Sequence, residues 1–221
     1  MVRGSVSKQI LELRRVFGLF GYLLVVWGFY RLIFKLPDNV EEAVLKPVLW
    51  LGPVLWLVLV AEKRKLSDIG WTGKNLFSGI GWGVVLGVIF AGEGVMVNWM
   101  RYGQINFQNI LAGGGLSGVM WIPLLTAISE ETVFRGYILS RLSEVIKSSY
   151  WPLVISSLMF VTVYLPMSFF ILHYSGAQMV AYFFLVFVLG MGGGWVYMRS
   201  KSLAAPIIVH TLWSWVILLF R

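Results

Sequence analysis

The sequence predicts an all-α protein: a polytopic bundle of about seven transmembrane helices with its N-terminus inside. Three observations predict it. Hydrophobic residues make up 58% of the 221-residue chain and charged residues only 13%, whereas soluble domains carry about 25% charged residues. Mean hydropathy is +0.80. The apolar residues also gather into stretches close to the ~20 residues a helix needs to cross a bilayer. A chain this short has too little polar side chain to cover so much apolar surface, so lipid must take the place of water around it. The length suits one integral membrane domain.

The first stretch, 17–34, follows Arg14 and Arg15. It is long for a signal-peptide core and no small-x-small cleavage site follows, so it reads as the first membrane helix. The second, 45–60, is short and interrupted by Gly52 and Pro53, and reads as a span or a re-entrant piece. The third, 76–100, carries Gly79, Gly83 and Gly87, a small-residue ridge for close helix packing. An uncharged segment, 102–115, ends in Ala-Gly-Gly-Gly and reads as a flexible linker between an N-terminal half, 1–115, and a C-terminal core, 116–221. The fourth stretch, 116–133, ends on two adjacent glutamates. The fifth, 151–172, leads into an uncharged loop with Pro166 and His173. The sixth, 179–198, holds Gly190, Gly192, Gly193 and Gly194, which read as packing positions or as room for a substrate. The last, 203–220, contains His210.

Orientation follows from the basic residues. With the N-terminus inside, inner segments hold thirteen Lys and Arg and outer segments five, namely Arg31, Lys35, Lys46, Arg101 and Arg221, which is the bias that keeps positive loops inside. The net charge of +8 therefore faces anionic lipid in short loops rather than nucleic acid. The eleven Trp and nine Tyr suit membrane interfaces. With no cysteine, disulfides, thiolate nucleophiles and cysteine metal sites are excluded. No phosphate-binding loop or dinucleotide fingerprint is present. The expected place is a multi-pass protein of the plasma (inner) membrane, in contact with membrane lipids and with no nucleic-acid partner.

The chemistry concentrates in Glu130 and Glu131. Ionisable groups inside a membrane segment are expensive and call for a function. On a helix, Glu131 shares a face with Arg135, four residues on, whereas Glu130 points about 100° away, toward the side of Phe134. One carboxylate is then paired, and the other is free to enter the bundle as a proton acceptor. The bland alternative is a charge cluster at a helix end. His210 lies within an apolar stretch on the inner half of its helix, with Ser214 one turn further on the same face, so Glu130 and His210 can converge on one polar pocket. His173, at the outer end of its segment, reads as an interfacial residue. A Glu–His pair can also serve a transporter as a proton relay, but no repeated halves are evident.

Glu130-Glu131-x-x-Phe134-Arg135-Gly136 resembles the first motif of the CAAX-processing and bacteriocin-processing (CPBP, or Abi) intramembrane proteases. His210-Thr-Leu-Trp-Ser214 resembles their third motif, H-x-x-x-N, with Ser214 at its last position. The second motif, F-x-x-x-H, matches at Phe160 and departs at Tyr164, which stands in place of the histidine. The resemblance covers about half of the chain, from Leu116 onward. It implies an endopeptidase that hydrolyses a peptide bond at the membrane. Glu130 would activate water, Glu131 with Arg135 would support it, and His210 with Ser214 would stabilise the oxyanion, while Phe134, Phe160 and Tyr164 would act as supporting residues. Glu130, Glu131 and His210 make an incomplete ligand set for zinc, so metal and metal-free chemistry both stay open. The implied substrate is a membrane-presented protein or peptide, such as a lipid-modified tail, a leader peptide or a sorting signal. The alternative is a catalytically attenuated or inactive relative that binds such segments as a scaffold or immunity factor, motivated by Tyr164.

Overall fold

The computed structural model describes residues 2–34, 36–103 and 115–219, and among them every regular element is helical. There are seven long helices, one for each apolar stretch. α1 is Val2–Ile33. α2 runs over Glu41–Ala61, as Lys46–Leu55 between two wide, π-type stretches, Glu41–Leu45 and Trp56–Ala61. α3 is Leu76–Tyr102. α4 occupies residues 115–145, as Gly115–Glu131, a wide stretch Thr132–Leu139 and a last part Ser140–Val145. α5 is Trp151–Val163, followed by wide turns at Met167–Ile171. α6 is Gly176–Ser200 and α7 is Ala204–Leu219. Four helical runs, Glu41–Ala61, Leu76–Met96, Trp151–Ile171 and Gly176–Ser200, are long and apolar enough to cross a membrane.

The polarity of the bundle is inside out. Large apolar side chains such as Val48, Phe77, Val180 and Phe184 are exposed, as suits lipid contact. Glu12, Glu41, Lys46, Glu130, Glu131, Arg135, Arg141 and His210 are all buried. Charges in a hydrocarbon environment face the bundle interior and pair with one another.

Two expectations change. Gly52 and Pro53 do not break α2, which passes through them. A backbone in lipid must satisfy its own hydrogen bonds, so a membrane helix continues through a proline rather than opening around it; Pro53 lies within the regular part, Lys46–Leu55. Nor does α4 end near Glu131. It continues with every residue of Thr132–Leu139 buried. Arg135 and Arg141 enter the interior because each has carboxylate partners there; paired charges do not terminate a helix. The expected linker falls at 104–114, outside the described residues.

Small residues set the packing. A Cβ on Gly83 would lie 2.8 Å from the Ala205 carbonyl oxygen, and one on Gly87 2.6 Å from Leu212 Cδ1, so the glycine ridge brings α3 and α7 into direct contact. The second glycine patch is also filled. A Cβ on Gly190 would meet Ser157 at 3.1 Å and one on Gly192 would meet Phe90 at 2.8 Å. At these two positions the packing reading holds, whereas Gly193 faces the site: a Cβ there would lie 3.6 Å from Arg135 Nε and Glu131 Oε2.

One end of the bundle collects a charged layer. Arg141 pairs with Glu62 and Glu144, Arg64 with Glu144 and Glu12, and Tyr137 donates to Glu62. Partial burial works to raise the Glu144 carboxyl, but the hydrogen bond from Arg64 and the charges of Arg141 and Arg64 outweigh it and hold the group below its ordinary 4.5. At the same end the Leu203 amide donates to Gly70 and Asn75 donates to the Ser200 carbonyl. At the opposite end Trp215 donates to the Met120 carbonyl.

Candidate active site

Four helices place the site side chains, and three of these sit where a helix changes pitch. Lys46 follows the wide stretch Glu41–Leu45, Glu131 precedes Thr132–Leu139, and Tyr164 precedes Met167–Ile171. Such pitch changes inside helices are frequent at functional sites, because they re-aim side chains. His210 comes from the middle of α7.

Glu131 is the hub of one half. Its Oε1 accepts from Arg135 Nη1 at 3.0 Å and lies 2.8 Å from His210 Nδ1. Arg135 also donates to the Gly190 carbonyl at 3.2 Å, and its guanidinium lies over the Phe160 ring at 4.4 Å. A carboxylate already paired with a guanidinium is an acceptor only, so the Nδ1 that faces it carries the proton. In neutral His210 the free nitrogen is then Nε2, which points at Glu130 Oε2 across 3.7 Å. That is too long for a direct hydrogen bond and a separation at which one water bridges.

Glu130 is the hub of the other half, and it is fully buried. Its Oε2 accepts from the Tyr164 hydroxyl at 2.5 Å. Its Oε1 lies 2.5 Å from Lys46 Nζ, an ion pair rather than a well-aligned hydrogen bond. Lys46 also donates to Glu42 at 2.9 Å, and Glu42 accepts from Thr126 at 2.8 Å. Aromatic rings wall the site. Phe134 and Phe160 meet edge-on at 5.0 Å, Phe160 meets Tyr164 at 5.4 Å and His210 at 6.0 Å, and Trp50 meets Phe134 at 5.9 Å.

Glu130, Glu131, Arg135, Phe134, Phe160, Tyr164 and His210 therefore converge. Glu131 pairs with Arg135 as the spacing requires. Glu130 enters the bundle, but it is not free: Lys46 and Tyr164 hold it. Ser214 is half-buried, and none of the described hydrogen bonds joins it to Glu130, Glu131 or His210. His173 is exposed in the α5–α6 turn. Lys46 itself is the residue that sequence reasoning misassigns. The charge count placed it among the outer-segment charges, whereas here it is buried between the rings of Trp27 and Trp50, 5.3 Å from each. Its one local signal was Glu42, four residues earlier and on the same helix face.

Two carboxylates and one imidazole are an incomplete donor set for a zinc ion. Lys46 and Arg135 already hold the two carboxylates, and the imidazole is turned onto Glu131. Among the described residues no group of three or more His, Cys, Asp or Glu side chains could hold a metal ion.

Fold and site together define a helical, membrane-embedded protein with a buried carboxylate–imidazole centre. Residues 113–216 match the family model for type II CAAX prenyl endopeptidase Rce1-like proteins, just under half of the chain and consistent with the CPBP resemblance of its motifs. Such a family points to a membrane protease acting on a membrane-associated protein. No curated protein and no solved structure matches the chain.

Proposed function

We propose that the chain is an intramembrane endopeptidase with Glu130 as general base. The observation that carries this reading is the 3.7 Å separation between Glu130 Oε2 and His210 Nε2. Both face the gap as acceptors, so a water there donates one proton to each and keeps a lone pair for attack. The water oxygen bonds to the scissile carbonyl carbon and Glu130 takes the proton. The Tyr164 hydroxyl donates to the same Oε2 before reaction; once that oxygen is protonated, its single proton turns to the developing oxyanion. As the C–N bond breaks, Glu130 returns the proton to the leaving amine. Glu131 and Arg135 hold His210 in the tautomer this step needs. Ser214 lies one turn beyond His210 as a further polar group. The proposed arrangement in the membrane has seven crossings with the N-terminus inside, in the plasma (inner) membrane. Residues 116–221 form the catalytic core, and the substrate is a peptide or lipid-modified tail presented by the bilayer.

The test is cleavage by purified protein in lipid vesicles, using a quenched fluorogenic peptide with a prenylated cysteine near its C-terminus. Glu130→Gln should lower kcat by about 10²–10⁴-fold, the usual contribution of a general base, and His210→Ala should fall in the same range. Cleavage by the wild type that both variants retain would overturn the assignment.

One observation favours the second reading, a binding relative without turnover: Glu130 is fully buried and both its oxygens are engaged. That reading predicts that wild type and Glu130→Gln retain the peptide in vesicles equally well and that neither cuts it.

A further inference from the structure

We propose that Lys46 is a positioning residue of this site, an ammonium that fixes the Glu130 carboxylate against the His210 imidazole. The inference rests on the peptidase reading and extends it to α2, outside the matched segment 113–216.

The argument begins with what Glu130 needs. A carboxylate on a helix can turn about its side-chain torsions, and a base in a membrane must present one chosen lone pair to its water. Tyr164 engages Oε2 alone, and one hydrogen bond leaves the carboxylate plane able to swing about it. Lys46 engages Oε1 at 2.5 Å. With both oxygens anchored, the plane is set and Oε2 faces His210 Nε2. Lys46 comes from α2 and Tyr164 from the residue that caps α5, so the base on α4 is held from two other helices.

Lys46 is itself prearranged. It is 3% exposed, its ammonium lies 5.3 Å from the rings of Trp27 and Trp50, and Glu42, steadied by Thr126, takes one more of its protons. These contacts prevent a long side chain from wandering. Among the described residues Lys46 is the one permanently cationic side chain paired with Glu130, since Arg135 belongs to Glu131 and His210 is charged only when protonated. A merely space-filling residue here would be apolar, because a lysine at membrane depth is expensive.

The test uses the full chain in vesicles, with two readouts. In the peptide-cleavage assay Lys46→Met should lower kcat by about 10²-fold with KM within about twofold, the cost of a base misplaced by about an ångström. Lys46→Arg, which keeps a cation, should recover most of that loss. A purely structural lysine would not divide kcat from KM in this way, nor be rescued by arginine. The second readout needs no turnover: labelling by a membrane-permeant carbodiimide, with modification at Glu130 located by peptide mass mapping. Lys46→Met should label there about tenfold faster than wild type and Lys46→Arg should stay protected, the order expected when an opposite charge is lost or kept. Equal labelling of wild type and Lys46→Met, or unchanged kcat, overturns the proposal. If Lys46→Met does not fold, Glu42→Gln, which removes the second anchor of Lys46, must raise labelling above wild type, and unchanged labelling overturns the proposal. A wild type that cuts nothing sinks the peptidase reading, while the labelling order still decides whether Lys46 holds Glu130.

Discussion

Tyr164 is the residue at which this chain departs from the CPBP motif pattern it resembles, and its hydroxyl does what a histidine proton could do: it donates to Glu130 Oε2. The phenol is a donor with a reference pKa near 10, so it can polarise an oxyanion but is a poor acceptor at neutral pH. Tyr164→Phe keeps the ring contacts with Phe160 and Tyr182 and removes only the hydroxyl. In the vesicle cleavage assay it should lose about 10²–10³-fold in kcat, the range for one oxyanion donor, with thermal unfolding little changed. Full activity would show that the oxyanion donor lies elsewhere. Arg135 is a different case. It is buried, bonded to Glu131 and Gly190, and stacked on Phe160, so Arg135→Met leaves Glu131 as an unpaired buried charge. Breaking such a pair costs about 3–5 kcal/mol, and lowered thermal stability should accompany the loss of activity.

At the scale of the helix, the contacts of α3 with α7 depend on absent side chains. A Cβ on Gly83 would lie 2.8 Å from the Ala205 carbonyl oxygen and 3.0 Å from Ile208 Cβ, whereas one on Gly81 would meet nothing within 4 Å. Gly83→Val should therefore destabilise the bundle by about 1–3 kcal/mol, the range for overpacking, and Gly81→Val should not. Unfolding of the two variants in the same detergent checks the contrast, and equal melting would show that the ridge is not a contact. Since α7 carries His210, the Gly83 variant should also lose activity. The ridge was legible in the sequence because its period is that of a helix face. So was the existence of each helix, since apolar length decides membrane insertion. The C-terminal limit of α4 was not legible. Read along the chain, Arg135 ends an apolar stretch, and only the folded bundle supplies the carboxylates that let Arg135 and Arg141 stay inside. The site divides the same way. Glu131–Arg135 is a local pair, readable from its spacing, and Glu130 with His210 was readable as two ionisable groups placed within apolar helices. Lys46 meets Glu130 from 84 positions away, and its sequence neighbourhood says only that a helix begins there.

For the whole molecule, burial changes how the charges count toward orientation. Arg135 and Arg141 are internal and paired, so they do not act as loop signals, and Lys46 is withdrawn from the opposite side for the same reason. Among the described side chains, what remains is one-sided. Lys8, Arg14, Lys63, Lys65, Lys74, Lys147, Arg199 and Lys201 are exposed, and their segments meet through the Arg64–Glu144, Asn75–Ser200 and Gly70–Leu203 contacts. Exposed Lys and Arg in short loops are retained on the inner side of a membrane, so this face should be the inner one. The chain has no cysteine, which makes single-cysteine labelling clean. Asn39→Cys and His173→Cys, both exposed positions near the other end, should react with a membrane-impermeant maleimide on intact cells. Ser67→Cys and Ser149→Cys, exposed beside the charged layer, should react only in inside-out vesicles. The reverse pattern would invert the molecule, and a mixed pattern would remove one of the seven proposed crossings. The outcome also bears on access to the site. Arg141 marks the charged layer, and Glu130 lies eleven residues before it on α4, at most about 16 Å along the helix axis at the α-helical 1.5 Å per residue. If the layer lies at the inner interface, Glu130 sits near the middle of a ~30 Å hydrocarbon core, and a substrate must bring its scissile bond to that depth to be cut.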